Sequence, residues 1–183
     1  MKKLFILLAL LPMMSLAQTD FRNVNWGMSK EQVQKLETAE LIKDSPNLYY
    51  KTRVNGLECY LVFYFTNGEL SGASYSFLQE HSNKNDFIDD YKSIKSILTD
   101  KYGSGLEDID WKNDLFKNDE QHYGLAISTG DLKYTTHWKD EKVKILLSLE
   151  GENYKISLSV DYFVIAYLNT SVKEIKDKAK KDF

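Results

Sequence analysis

Cysteine is almost absent from this chain of 183 residues, and the single one, Cys59, leaves no intramolecular disulfide to hold the fold. Histidine is scarce as well. His81, His122 and His137 share no ligand spacing, whereas a metal site needs three or four converging ligands. Beyond the first seventeen residues, no apolar run approaches the roughly 20 helical residues that a bilayer core requires. There is no dense basic stripe either. The formal charge is −3, and the one basic cluster, Lys173 to Lys181, is diluted by Glu174 and Asp177, which argues against a nucleic-acid partner. A Gly-x-Ser-x-Gly elbow, a phosphate loop and a dinucleotide fingerprint are all missing. The expectation is a protein with no cofactor, no metal and no catalytic residue.

What the chain does carry at its start is an address. Lys2 and Lys3 precede an apolar run from Leu4 to Leu16, and Ser15-Leu16-Ala17 offers small residues where a signal peptidase reads. This layout predicts a cleavable secretory signal over residues 1–17, with Gln18 as the mature start. No cysteine follows it, so a lipid-anchored export form is not available. A eukaryotic secreted chain of this size is expected to carry cysteines in pairs. The expected product is therefore soluble, bacterial, and periplasmic or secreted, without stable membrane insertion.

The remaining chain predicts an α+β fold of two helix-plus-antiparallel-meander units, residues 18–80 and 81–183. Ser29 and Gln32 form a capping box for a helix over about 30–38, whose stripe includes Val33 and Leu36. Two Asn-Gly pairs, Asn55-Gly56 and Asn67-Gly68, favour tight two-residue hairpins between segments 48–54, 57–66 and 69–78. A second helix is expected over about 85–102, where Phe87, Tyr91, Ile94, Leu98 and Tyr102 recur at helical spacing before Gly103. Ile88 and Ile97 are expected to widen that stripe. Residues 107–129 are the least legible, with a strand or loop near Trp111 and a short helix near 119–127. Strands at 131–138, 143–150 and 153–163 follow, with turns at 139–142 and at Gly151-Glu152, and then a polar helical tail over 171–181.

Tight turns fix register. Simple alternation through them places Arg53 opposite Glu58, Lys51 opposite Tyr60, and Tyr60 opposite Tyr75. One face then carries Leu48, Tyr50, Cys59, Leu61, Phe63, Phe65 and Leu70 and reads as core. The other gathers Tyr49, Tyr60, Val62, Tyr64, Tyr75 and Phe77 among charged residues. With 12 tyrosines in the chain, this second face is the one constellation that suggests recognition. Tyrosine offers a large contact area, a polar tip and few rotors. Tyr49, Tyr60, Tyr64, Tyr75 and Phe77 are therefore the candidate binding residues.

The opening Asn25-Trp26-Gly27-Met28-Ser29-Lys30-Glu31-Gln32-Val33, followed by helix-then-sheet units, resembles the β-lactamase-inhibitory-protein-like group. The small outer-membrane assembly lipoproteins share the same unit. The resemblance is clearest over residues 25–78 and architectural over 85–163. It implies a fold and a habit of binding proteins across a sheet face. Two departures limit it: the chain can form none of the inhibitors' disulfides, and it lacks the lipoproteins' acylated cysteine. No target and no residue role is carried over.

Three other patterns bear on chemistry. Cys59 alternates in phase with Leu61 and Phe63, which reads as core rather than nucleophile. Asp119-Glu120-Gln121-His122 could lend a metal two ligands, too few for a site. Asp108-Ile109-Asp110-Trp111-Lys112-Asn113 begins like a calcium loop but places Lys112 where an oxygen ligand belongs. The expected function is an exported, non-catalytic, inhibitor-like module that binds a protein, or a cell-envelope glycan, across the tyrosine-rich face. The alternatives are an envelope assembly or structural factor and, ranked below it, a small hydrolase built from residues 107–129.

Overall fold

Ser29 starts the first helix as its capping box requires: its hydroxyl accepts from the Gln32 amide, and the Gln32 side chain returns a bond to the Ser29 amide at 2.8 Å. Helix α1 runs Lys30–Leu36 and buries Val33 completely. It is the first helix of the computed structural model, which describes residues 19–168. The expected signal at 1–17 and the tail helix at 171–181 lie outside the described residues. Among the described residues, no helix is long and apolar enough to cross a membrane.

The protein is α+β. After α1 come β1 (Glu40–Asp44), β2 (Leu48–Val54), β3 (Leu57–Thr66) and β4 (Glu69–Phe77). Helix α2 (Asp86–Tyr102) leads to β5 (Leu106–Trp111), a 3-10 turn at Glu120–His122, and α3 (Tyr123–Thr129). Strands β6 (Leu132–Lys139), β7 (Val143–Glu152) and β8 (Lys155–Val164) complete the sheet. All eight strands form one antiparallel sheet in the order β1-β2-β3-β4-β8-β7-β6-β5. Two meanders thus join through their last strands, β4 and β8.

Both Asn-Gly hairpins form at their expected positions. Asn55, Gly56, Asn67 and Gly68 all take positive φ, as a two-residue turn of this hand demands. The turn expected at Gly151-Glu152 falls two residues later. Strand β7 runs through Gly151 and Glu152, and the reversal lies on Asn153 and Tyr154, at φ 52° and 65°. Gly151 serves packing instead. A Cβ there would sit 2.4 Å from the Ile127 carbonyl oxygen, so its missing side chain lets α3 lie directly on β7.

One core underlies both meanders. Leu61, Phe63, Tyr75, Leu147, Leu149, Val160 and Tyr162 project from one face of the sheet into a cluster with Phe87, Ile88, Tyr91, Ile94 and Leu98 of α2 and Ile127 of α3. Each such side chain contributes about 1.5–3 kcal/mol on burial. Ile97, expected in the α2 stripe, instead faces outward at 42% exposure. The segment before α1 closes this side, where Phe21 meets the rings of Trp26, Phe63, Tyr75 and Tyr162 at 4.7–5.8 Å.

Candidate functional site

The opposite face of the sheet carries none of helices α1, α2 and α3. Strand pairing sets its side chains in rows. One row reads Tyr49, Val62, Ser74, Asp161, Leu146, His137 and Leu106 across β2 to β5. The next reads Lys51, Tyr60, Ser76, Ser159, Ser148, Thr135 and Asp108. On the other side lie Tyr64, Gly72, Phe163, Lys144 and Lys139.

These rows correct the expected face. Arg53 does oppose Glu58 and Lys51 does oppose Tyr60, but Tyr60 faces Ser76, and Tyr75 faces Leu61. The cause is a β-bulge. Tyr64 pairs with Gly72 and Phe65 with Leu70, leaving Ser71 as an extra residue in β4. The Ser71 hydroxyl holds the kink, donating to the Tyr64 carbonyl at 3.2 Å and accepting from Thr66 at 2.9 Å. One added residue turns the rest of β4 over. Tyr75 therefore enters the core at 7% exposure, packed against Phe21 and Tyr162, with its hydroxyl accepting from Arg22 at 3.4 Å. Burial pushes its phenol up to about 12. Phe77 goes with it, opposite Cys59 and packed against the core. Of the five expected binding residues, Tyr49, Tyr60 and Tyr64 share the open face, while Tyr75 and Phe77 do not.

The bulge also explains what stands on the open face in their place. β4 presents Gly72, Ser74 and Ser76 there, and β8 and β7 add Ser159 and Ser148. This is a floor of small side chains at the middle of the sheet, where Ser74 and Ser148 are themselves buried, at 3% and 6% exposure. A Cβ on Gly72 would come within 2.7 Å of the Tyr162 carbonyl oxygen, so β8 sets that position's size. Tyr60 and Tyr64 rise on one flank, 43% and 39% exposed, and Phe163 on the other at 41%. The Tyr64 hydroxyl is steadied by Ser74 at 3.1 Å, and the Lys43 ammonium lies 5.6 Å from the Tyr49 ring centre.

Asp161 stands at the centre of this floor. Burial raises its carboxyl above the ordinary value, the Ser159 hydroxyl at 3.0 Å works against that rise, and Glu150 adds to it. No described cation forms an ion pair with it. Asp161, Phe163, Leu146 and Ser74 are absent from the expected site residues. Alternation within β7 and β8 puts Asp161, Phe163 and Leu146 on the reverse of the core face. Their nearness to Tyr60 and Tyr64 depends on β4 pairing with β8, for which the sequence carries no local signal.

The other candidate residues fall elsewhere. Cys59 is fully buried, with its thiol pushed up to about 11 by that burial, and its Sγ rests 3.7 Å from the Thr52 carbonyl. Such a thiol holds almost no thiolate at neutral pH. His122 meets Asp119 at 2.7 Å on the exposed turn before α3, and His81 meets Asp90 at the same distance. Among the described residues, no group of three or more His, Cys, Asp or Glu side chains converges as a metal site would require. Asp108 and Asp110 lie in strand β5, not in a loop. Comparison with family models, with curated proteins and with solved structures finds no match to this chain in any of the three.

Proposed function

We propose that this protein is an exported, non-catalytic module that docks a protein partner across the open face of its sheet, with Tyr49, Tyr60 and Tyr64 as principal contacts. One observation carries this reading. Helices α1, α2 and α3 pack on one side of an eight-stranded sheet, and on the other half-exposed tyrosines stand over a mostly buried floor of glycine and serine. Half-exposed rings on a sheet face favour a protein partner, because tyrosine gives a large contact area with a polar tip and few rotors. The width of eight strands suits a protein better than a short ligand. Export to the periplasm or medium is supported by the basic-apolar-small pattern of residues 1–17. The resemblance of residues 25–78 to proteins that bind across a sheet face points the same way.

The double variant Tyr60→Ala/Tyr64→Ala tests the reading. Both rings are 39–43% exposed, so the variant should keep its fold and melting temperature. Its capture of the partner from periplasmic extract should weaken by about tenfold or more, the loss typical of aromatic anchors. Undiminished capture by the folded double variant would remove this face from consideration.

A further inference from the structure

The far corner of the open face, away from the tyrosines, presents an apolar groove of about 460 Å³ bounded by β5, β6, β7 and β8. That volume lies within the ~300–1,000 Å³ common for small-molecule sites. Leu106, Leu146 and Phe163 supply its apolar walls, with Leu106 76% and Phe163 41% exposed to water, and His137 stands between the two leucines in the ladder.

Two lysines stand together at one side of this groove. Lys139 of β6 and Lys144 of β7 lie directly opposite each other in the antiparallel ladder. Facing Cβ atoms in such a pair are about 4.5–5.5 Å apart, and like charges placed so are destabilising. Neither lysine's ammonium forms an ion pair or hydrogen bond among the described residues. The contrast with Lys133 on the same strand is informative, because that lysine is matched by Glu150. An anion between Lys139 and Lys144 would relieve the repulsion that the fold itself leaves in place.

We infer that this groove binds a single-chain aliphatic carboxylate, its head between Lys139 and Lys144 and its chain along Leu146, Leu106 and Phe163. The orientation follows from charge. Asp161 lies directly opposite Leu146 in the ladder and repels a carboxylate from that end. The preference for an aliphatic chain over a peptide follows from the floor. Strands β6, β7 and β8 are interior, so their backbone N–H and C=O groups are committed to the ladder. A peptide backbone laid there would lose hydrogen bonds to water without replacing them, whereas a hydrocarbon chain needs none. This site shares Phe163 with the flank of the docking face but uses none of Tyr49, Tyr60 or Tyr64, so either reading can fail without the other.

Calorimetric titration of the mature protein with sodium decanoate, kept below its micelle concentration, tests the assignment. Saturable binding of one decanoate per chain is expected. Lys139→Gln/Lys144→Gln should weaken it about tenfold or more, as loss of charge-assisted contacts does. Lys133→Gln should leave it unchanged, and Phe163→Ser should weaken it through the chain instead of the head. Decyl maltoside and decyltrimethylammonium should bind at least about tenfold more weakly than decanoate. Thermal melts of each variant confirm the fold. Absence of saturable binding to folded wild-type protein overturns the inference, as does equal binding of all three head groups or indifference to the lysine pair. Tighter binding of N-acetyl-Leu-Leu than of decanoate would assign the groove to a peptide C-terminus and overturn the aliphatic chain.

Discussion

Tyr75→Ala is expected to cost ~3 kcal/mol or more of folding stability, the range found for aromatic truncation in cores. Tyr60→Ala should cost less than about 1 kcal/mol, as exposed substitutions do. The difference follows from one residue. Had β4 paired without interruption, Tyr75 would stand beside Tyr60 and the two truncations would have similar, small effects. The bulge at Ser71 instead places Tyr75 between Phe21 and Tyr162, where its removal leaves a cavity lined by rings that are themselves fixed. Tyr75→Phe separates packing from the Arg22 hydrogen bond and should cost only about 0.5–1.5 kcal/mol. Urea denaturation of the four proteins measures these quantities. Equal small losses for Tyr60→Ala and Tyr75→Ala would show that the pairing of β3 with β4 is one residue out of register.

The second large effect is expected at Arg22. Its guanidinium forms a two-point fork on Glu37, with Nε and Nη2 at 2.8 and 2.9 Å from the two carboxylate oxygens. The Glu37 side chain is fully buried, while that of Arg22 retains 24% exposure. Burial alone would raise the Glu37 carboxyl, but the Arg22 fork and the Ala39 and Thr38 amides hold it below its ordinary value. Arg22→Ala strands a buried carboxylate and should cost about 3 kcal/mol, the lower end for breaking such a pair, because the two amides remain. Glu37→Gln should cost less, since the cation left behind can reach water.

The sign of the pH dependence follows. A carboxyl with a lowered folded-state pKa contributes stability that is fully present above its ordinary value of 4.5 and is lost as pH falls through the lowered one. In Arg22→Ala the burial cost and the two amides remain but the fork is gone, so the carboxyl should rise relative to wild type and protonate with less loss of support. The gap between wild type and Arg22→Ala should therefore narrow as pH falls from neutral into the acidic range. A gap independent of pH would show that Arg22 acts through packing alone.

Much of the fold is legible in the sequence because local chemistry and burial agree. The Ser29–Gln32 box, the Asn55-Gly56 and Asn67-Gly68 turns and the Phe87–Leu98 stripe each mark an element that forms within about two residues of its expected bounds. Strand β1 leaves no such mark, because all five of its residues are exposed and no apolar alternation betrays an edge strand. The region 107–129 is obscure for a different reason. Its helix α3 is seated by close approach, with Gly124 against the backbone of Lys84 and Asn85 and with Gly151 beneath Ile127. A sequence shows those glycines but not what they touch.

The site is half legible. Tyr49, Tyr60 and Tyr64 follow directly from strands β2 and β3, whose hairpin register is fixed by Asn55-Gly56. Tyr75 and Phe77 are expected on the wrong face because Ser71 gives no signal of a bulge: it is a serine among other small residues in Ser71-Gly72-Ala73-Ser74. Asp161 and Phe163 become neighbours of the tyrosines only through the β4–β8 seam, a contact between strands some 90 residues apart. Long-range pairing of this kind depends on two edges matching, not on any local propensity.

Photocrosslinking in the producing cell tests most directly whether the open face is the docking surface. Tyr64→p-benzoylphenylalanine places the reactive group on that face, and Ile97→p-benzoylphenylalanine places it on the exposed side of α2, with 39% and 42% exposure of the native side chains. A discrete protein adduct from position 64 and none from position 97 is the predicted result. An adduct from position 97 with none from position 64 would contradict it and move the interaction to the helical side of the sheet.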